Sequence, residues 1–148
     1  MDDRYLFKAK RADNGEWVEG YLIEQDVPEY HAYIVRSIKI EMDEKHIDIL
    51  EHDIYEVEPE TICRYTGLTD KNGNKIWENG IVKFPDCEMS TESGYGDCFV
   101  NVGKIAYDID SMSYFITNRV TVDMCDICIK DEVEVIGSIF DHPELLEV

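Results

Sequence analysis

The residues best suited to chemistry are the two thiols of Cys125-Asp126-Ile127-Cys128. Cysteine thiolates separated by two residues can chelate one tetrahedral metal ion, and zinc is the usual occupant of such a site. A closed zinc site needs two further ligands. Cys87 and Cys98 are candidates for them, although they are not a second close pair. A metal-binding protein or metal-assisted enzyme that uses Cys125 and Cys128 is therefore one hypothesis.

The same pair is poorly placed for redox catalysis. Thioredoxin-like chemistry requires the two cysteines at a helix N-terminus, where the thiol pKa is lowered, but Cys125 and Cys128 lie among β-forming residues. Five cysteines are an odd number, and none has the dense spacing of a disulfide-rich protein. We therefore expect ordinary reduced thiols in a reducing compartment.

The run Asp70-Lys71-Asn72-Gly73-Asn74 suggests calcium ligands at alternate positions. An EF-hand loop that starts at Asp70 needs glycine at its sixth place and glutamate at its twelfth, where this chain has Lys75 and Ile81. A loop that starts at Asp108 fails at the same two places. Both segments are therefore predicted to be β-turns, and Gly73 supplies the positive φ that other residues resist.

No other pattern indicates catalysis. The histidines share no ligand-like spacing: His31, His46, His52 and His142. The chain has no phosphate-binding glycine-rich loop with its lysine, no Gly-x-Ser-x-Gly elbow and no His-Glu-x-x-His. The leading prediction is a protein that is not an enzyme, with no catalytic or cofactor-binding residue, no metal site and no cofactor.

Charge is the strongest compositional feature. Lys and Arg number 14 against 33 Asp and Glu, which gives a formal net charge of −19. Phosphates must be met by a basic surface, so direct binding to nucleic acid is disfavoured, and so is an anionic membrane. The acids are explained by a solvated surface that keeps the protein soluble. The alternative is an acidic mimic of nucleic acid that inhibits a host DNA-binding protein.

The elements that must position these residues are short strands. Asp13-Asn14-Gly15 separates two β-rich runs and predicts a hairpin, with Trp17 and Tyr21 on one face of its second strand and Val18 on the other. A further strand is predicted within 30–40. The acid-rich stretch 41–60 has apolar residues spaced for short strands and turns, as in a solvated arm of the sheet or a loop.

The second half of the chain continues in the same way. Strands are predicted at 62–65, 81–84, 98–107, 112–117 and 132–140, with an exposed loop at 85–96. Short strands joined by tight turns suit a small barrel. Asp141 is placed to cap a helical turn that has Pro143 inside its start.

Three separated segments resemble the YopX family of bacteriophage and prophage proteins. They are Asp13-Asn14-Gly15-Glu16-Trp17-Val18-Glu19-Gly20-Tyr21, Tyr65-Thr66-Gly67-Leu68-Thr69-Asp70-Lys71-Asn72-Gly73 with Ile76, Glu78 and Ile81-Val82-Lys83, and 134–146. Asn79-Gly80 and Ser138 depart from the family's common Gly-Asp and Asn, which are turn or surface changes. The resemblance implies a mainly β fold with an SH3-like small barrel in the C-terminal part, and it implies no activity.

These observations define the expected protein. The chain is one YopX-like unit over 1–148, with a subdivision into an N-terminal β and acidic segment at 1–60 and an SH3-like barrel at 61–148. It lacks a secretory signal and any apolar run of about 18 residues, so we expect it in the cytoplasm of a bacterial host, without membrane contact. The predicted function is that of a phage accessory protein that binds a protein partner or assembles with itself as a homo-oligomer.

Overall fold

The structure, a computed structural model, describes residues 3–87, 98–119 and 132–147. The fold is mainly β, and every strand pair is antiparallel among the described residues. The strands are β1 (Phe7–Lys10), β2 (Trp17–Gln25), β3 (His31–Met42), β4 (Ile47–Val57), β5 (Cys63–Thr69), β6 (Lys75–Trp77), β7 (Gly80–Cys87), β8 (Cys98–Asp108), β9 (Ser113–Ile116) and β10 (Glu134–Ser138). Within the described part of the chain, no helix is long and apolar enough to cross a membrane.

The chain divides into two compact units, Met1–Tyr65 and Thr66–Val148. The division falls inside β5. Each unit has its own cluster of buried hydrophobic residues.

In the first unit the strand order is β4-β3-β2-β1-β5. The predicted N-terminal hairpin is confirmed, because β1 and β2 pair with Ala9 opposite Val18. Val18 is buried, whereas Trp17 and Tyr21 lie on the other face of β2. The core cluster contains Ala9, Val18, Ala32, Ile34 and Val57, with Phe7, Leu22, Tyr55 and Ile62 packed against it. Apart from Ile62, which directly precedes β5, these residues lie on β1, β2, β3 and β4.

Strands β3 and β4 extend far beyond this core. They contain 12 and 11 residues, about twice the usual strand length of ~5–6. Strand β2 pairs with β3 only between His31 and Val35. Register shifts after Val35 and after Lys39 mark two bulges in the β3–β4 ladder, and bulges bend and twist a ribbon locally. We call residues 36–53 the arm.

In the second unit four strands form a sheet in the order β10-β7-β8-β9. Strand β6 pairs with β5 and does not belong to this sheet. Leu68, Tyr114 and Val135 are partly buried and pack against the core of this unit. The buried members of this core are Ile76, Val82, Phe84, Ile105, Ile116 and Val133. The central strand β7 reads Gly-Ile-Val-Lys-Phe and is buried over most of its length, as expected for a strand paired on both edges.

One glycine in each unit permits close approach of neighbouring strands. A Cβ atom on Gly20 would overlap the carbonyl oxygen of Val35, and a Cβ atom on Gly103 would overlap the carbonyl oxygen of Thr117. Both glycines are buried within strands. The strand spacing at these points therefore depends on the absence of a side chain.

Two predicted boundaries change in the structure, and the part of the predicted loop 85–96 from residue 88 onwards lies outside the described residues. Within the acid-rich stretch 41–60, β4 (Ile47–Val57) is one long strand rather than short strands and turns, because it pairs with β3. The predicted solvated arm of the sheet is therefore confirmed, and the alternative of a loop is wrong. Pro85 lies in β7 rather than in a loop. Among the described residues β10 pairs with β7 only as far as Lys83, so the missing N–H of Pro85 breaks no bond of that ladder.

The predicted cap at the C-terminal end is also wrong. A single 3-10 turn at Pro143–Leu146 is present, but its N-cap residue is His142, which makes no side-chain capping bond. The Asp141 carboxylate instead accepts a hydrogen bond from Ser138 Oγ at 3.2 Å. Asp141 is therefore engaged by the turn that precedes the helical one.

Candidate functional site

The structure changes the interpretation of the cysteines. Cys125 and Cys128 lie outside the described residues. Cys87 and Cys98, expected as free thiols and considered as zinc ligands, form a disulfide. They are register partners on β7 and β8, with Cα atoms 4.1 Å apart, so the antiparallel ladder brings the two side chains together. Bonded sulfur atoms supply no thiolate for zinc.

Metal binding has no geometric basis in the part of the chain that the structure describes. No group of three or more His, Cys, Asp or Glu side chains there is arranged to hold a metal ion. Cys63 is buried in β5 and is not part of a disulfide. Its thiol donates a hydrogen bond to the carbonyl oxygen of Thr61 at 3.3 Å. A buried thiol of this kind packs as a small hydrophobic group.

The predicted turn at 70–74 is confirmed, and Asp70 organises it. Asp70 Oδ1 accepts hydrogen bonds from the backbone N–H groups of Asn72 at 2.9 Å and Asn74 at 2.8 Å. Gly73 has a φ of 83°, which is the conformation that glycine adopts without strain. The turn closes by the bond from the Gly73 N–H to the Asp70 carbonyl oxygen.

Asp70 also holds a distant strand. Its Oδ2 accepts a hydrogen bond from the N–H of Val135 at 2.9 Å, across 65 residues of sequence. Burial opposes ionisation of this carboxyl group, but the N–H donors of Val135, Asn74 and Asn72 outweigh it and hold the pKa of Asp70 below its usual value. Both carboxylate oxygens therefore accept hydrogen bonds from backbone N–H groups of the fold.

A small cavity of about 160 Å³ lies beside Tyr55 in the first unit, and it is lined by Ala12, Asp13, Ile54, Tyr55 and Glu56. The Arg11 guanidinium lies 4.2 Å from the centre of the Tyr55 ring and contacts Asp13 Oδ2 at 2.6 Å. The hydrogen bond from Arg11 holds the pKa of Asp13 below its usual value.

The polar groups around this cavity are already paired. His31 Nδ1 lies 2.7 Å from Glu56 Oε1, and a hydrogen bond with Asp53 raises the pKa of Tyr55. Ligand pockets usually have volumes of roughly 300–1,000 Å³, and this cavity is smaller. We interpret it as a cleft beside a structural ion pair.

The arm presents an unusual surface. Alternate residues on β3 and their partners on β4 place five aliphatic side chains on one face, because opposed residues of an antiparallel ladder point the same way. This apolar face consists of Ile38, Ile40, Met42, Ile47 and Ile49, and His52, the register partner of Ile38, lies at its edge. Each of the five aliphatic side chains is between 45% and 65% exposed. Ile40 lies opposite Ile49, and Met42 lies opposite Ile47.

The opposite face of the arm is charged. Lys39, Glu41 and Asp48 lie there, and Glu41 is the register partner of Asp48. The arm ends in a specific turn, in which Asp43 Oδ1 accepts the backbone N–H groups of Lys45 and His46, both at 2.8 Å. These two bonds hold the pKa of Asp43 below its usual value. The arm is thus a formed ribbon with one aliphatic and one charged face.

Sequence reasoning identified the acids of this region and missed its apolar face. The signal was present as an alternation of period two, Ile38-x-Ile40-x-Met42 and Ile47-x-Ile49. Alternation of this kind ordinarily marks the side of a strand that faces a core, so it did not distinguish a buried face from an exposed one. Two features of the structure show that this face is exposed. The β3–β4 register places these side chains together, and β2 pairs with β3 only as far as Val35.

Comparison with known proteins gives a family and a fold. A family model described as YopX protein matches residues 6–147. No curated protein matches the chain. Among solved structures, the chain is similar to the crystal structure of protein EF1440 from Enterococcus faecalis, with a TM-score of 0.60 and 24% sequence identity over 95% of this chain and 96% of that one. At that identity the likeness concerns the fold alone.

Proposed function

The chain belongs to the YopX family, and from that premise we propose that it is a phage or prophage accessory protein without enzymatic activity that binds another protein chain through the apolar face of its arm. One observation supports this proposal above all others. Five aliphatic side chains stand half exposed on one face of a ribbon that no other strand of the described chain covers. Contiguous exposed apolar surface of this kind marks interaction sites in soluble proteins.

The length of the arm adds a second argument. A ribbon of two strands is at best marginally stable in water when nothing packs on it. The residues of β3 that follow Val35 pair with β4, and none of them belongs to the core of the first unit. A partner that covers the apolar face would supply the contacts that the arm lacks in the single chain.

A binding experiment tests this function. The tagged full-length protein is used to capture interacting chains from bacterial extract and a differently tagged copy of itself. The test variant is Ile40→Thr with Ile49→Thr, which replaces apolar groups by polar ones of high β propensity. We expect this variant to lose the captured chains.

The matched control is Lys39→Thr with Glu41→Thr, on the charged face of the same arm. It should retain whatever the wild type captures, because the apolar face is intact. Equal capture by the wild type and the Ile40→Thr, Ile49→Thr variant, for every partner including the second copy, contradicts the proposal.

The acids of the arm support a second candidate, the acidic mimic of nucleic acid. Glu41 and Asp48 share the charged face, and Asp43 and Glu44 extend it into the exposed turn. A basic DNA-binding protein would be attracted by such a surface. Replacing these four residues by amides should abolish capture of basic host proteins. Unchanged capture would eliminate this candidate.

Two finer proposals accompany the main one. The second unit is an SH3-like small barrel, supported by its short antiparallel strands and tight turns. The protein works in the cytoplasm of a bacterial host, a reducing compartment in which the Cys87–Cys98 disulfide would be open to reduction. Small barrels support many unrelated functions, so neither point alters the choice of the arm as the binding surface.

A further inference from the structure

We propose that the Cys87–Cys98 disulfide is a reversible redox site, which a dithiol reductant opens in the folded protein and whose opening loosens one end of the β7–β8 ladder. The inference goes beyond the binding proposed for the arm and does not depend on it. The choice of a dithiol as the reductant rests on the proposed cytoplasmic location, where protein dithiols keep cysteines reduced.

The disulfide joins the last residue pair of this ladder. Strand β10 pairs with β7 no further than Lys83, and β9 pairs with β8 at the opposite end of that strand. The last three pairs of the β7–β8 ladder therefore have no third strand beside them among the described residues. We call residues 85–87 and 98–100 the ladder end. Because Pro85 has no N–H to donate there, the disulfide is a covalent link across a weakly paired end.

The disulfide lies at the surface of the second unit. Cys98 is exposed, and Cys87 is half-buried. Phe99 and Val100, which follow Cys98 on β8, are 40% and 68% exposed. Exposed disulfides are the labile ones in folded proteins, whereas structural disulfides resist reduction. A thiol in solution can therefore attack this bond without unfolding of the second unit.

The ladder end contributes little to the core of the second unit. Its residues are absent from the described core cluster, whose nearest members on the two strands are Phe84 and Ile105. Asp86 is buried, but its Oδ1 accepts the N–H of Cys87 and its Oδ2 accepts the side-chain amide of Asn101, both at 3.0 Å. Water replaces these donors when the end opens, so this opening leaves no donor or acceptor buried without a partner. Segments with few apolar contacts open locally at low cost.

The exchange proceeds in two steps. A thiolate of the reductant attacks the sulfur of Cys98, the more exposed cysteine. A mixed disulfide forms, and the electron pair of the broken bond leaves with the sulfur of Cys87, which takes up a proton. The second thiol of the reductant then attacks the mixed disulfide and releases Cys98 as a thiol. The protein gains the two electrons and two protons that the dithiol loses, and a disulfide oxidant such as oxidised glutathione reverses both steps.

The surroundings make the pair a substrate of thiol exchange and not a redox catalyst. Catalytic thiols are held as thiolates by basic side chains, a metal ion or a helix N-terminus. Cys87 and Cys98 lie on strands, and the side chain bonded to the Cys87 N–H is the carboxyl group of Asp86. A carboxylate disfavours a thiolate beside it. The reactive thiol is therefore supplied by the reductant.

Thiol labelling of the native full-length protein tests the inference. The protein is incubated without denaturant in dithiothreitol, the dithiol probe, and its thiols are alkylated with iodoacetamide and assigned by peptide mass spectrometry. Cys87 and Cys98 should be alkylated only after reduction. Replacing dithiothreitol by oxidised glutathione should restore the bond. Cys63, which is buried and not in a disulfide, is the control within the same molecule and should stay unlabelled.

Hydrogen exchange measured by mass spectrometry tests the loosening. Reduction should raise the exchange rates of the amides at 86–87 and 98–100 at least roughly tenfold, because loss of the crosslink frees the ladder end. Amides at 102–106, in the part of β8 that reaches the core, should change by less than about twofold. The variant Cys87→Ser with Cys98→Ser should exchange like the reduced protein and show no response to dithiothreitol.

Three results would overturn the inference. Alkylation of Cys87 and Cys98 before any reductant is added would mean that there is no bond to open. Alkylation that requires denaturant, or that appears together with alkylation of Cys63, would make the bond a structural crosslink that reacts only on unfolding. Equal exchange of the ladder-end amides in oxidised and reduced protein would remove the conformational response. None of these results involves the apolar face, so each would leave the proposed binding function intact.

Discussion

At the scale of single residues, Asp70 shows how a buried charge becomes structural. Its carboxylate closes the turn at 70–74 and accepts the N–H of Val135, which belongs to the strand β10. The sequence predicted the turn, because aspartate, asparagine and glycine have local preferences that can be read in order. It could not predict Val135, since nothing within the turn specifies a donor 65 residues away.

We expect Asp70→Asn to lower the free energy of unfolding by ~1–3 kcal/mol, the usual cost of leaving buried donors without an acceptor. In this variant the –NH₂ group of the new amide faces backbone N–H groups that donate to a carboxylate oxygen in the wild type. Urea unfolding followed by tryptophan fluorescence measures the change. Asp110→Asn, in an exposed turn, is the matched control and should be nearly neutral. Equal stability of both variants would contradict the role assigned to Asp70.

The same carboxylate predicts a pH dependence. Because the pKa of Asp70 is lower in the folded protein than in the unfolded chain, its contribution to stability is present above the unfolded pKa of about 3.9. The contribution is lost as pH falls through the folded pKa. The difference in unfolding free energy between the wild type and Asp70→Asn should therefore shrink below about pH 4. A difference that stays constant down to the most acidic measurable pH would refute this.

At the scale of elements, the arm is separable from the core of its own unit. Ser37 and Asp53 are register partners at its base, so an Asn-Gly turn can join them directly in place of residues 38–52. We expect the free energy of unfolding of the shortened protein to lie within ~1 kcal/mol of the wild-type value. We also expect the shortened protein to be monomeric. Ile34→Ala, in the buried core cluster, should instead cost ~2–5 kcal/mol and retain association.

Thermal and urea unfolding with sedimentation measure both variants. Collapse of the shortened protein would show that the arm is needed for folding, and the separation between core and arm would then be wrong.

A second element, the ladder between β7 and β8, is closed by the Cys87–Cys98 disulfide, which joins residues 11 positions apart. A crosslink over a loop of that size contributes roughly 2–4 kcal/mol by restricting the unfolded chain. Reductant should lower the unfolding free energy of the wild type by about that amount and have no such effect on Cys87→Ser with Cys98→Ser. Thiol titration of denatured protein should find two more reactive cysteines after reduction. If reductant changed neither the unfolding free energy nor the number of reactive cysteines, the pair would be unbonded in solution.

The elements also show where sequence patterns stop being informative. Strand type and approximate position were predictable for the hairpin at β1 and β2 because an Asn-Gly turn separates two β-rich runs. The length of β4 was not predictable, because its dense acids are also typical of a solvated loop. Its strand conformation depends on pairing with β3, which is a tertiary contact. The disulfide was missed for the same reason, because only the register of β7 and β8 places the two cysteines opposite each other.

At the scale of the whole molecule, net charge and the apolar face have opposite effects on association. The formal charge of −19 opposes dimerisation at long range, and salt screens that repulsion over about 10 Å at 0.1 M. We therefore expect capture of a differently tagged copy of the chain through the apolar face to strengthen as sodium chloride is raised. Capture of a basic protein by the acids should weaken under the same conditions. Capture of the tagged copy that weakens with added salt would indicate an interface held by charge.

The composition of the molecule was enough to predict its class and insufficient to locate its exposed apolar face. Hydrophobic periodicity and turn residues established a mainly β chain, and three motifs indicated the family later matched over residues 6–147. The apolar face could not be located in this way. Ile38 and Ile40 are two residues apart on β3, as Ala32 and Ile34 are, and burial distinguishes the two pairs only after folding.

The two glycines at the close approaches of strands have a consequence for how this chain can diverge. Gly20 and Gly103 occupy sites where even a methyl group would collide with a backbone carbonyl of the next strand, so alanine is as damaging there as a bulky residue. In a saturation library selected for folded protein, both positions should retain only the wild-type residue, while Ile40 and Ile49 should accept polar substitutions. Substitutions can therefore accumulate on the apolar face of the arm, but each unit contains a strand position that tolerates no side chain.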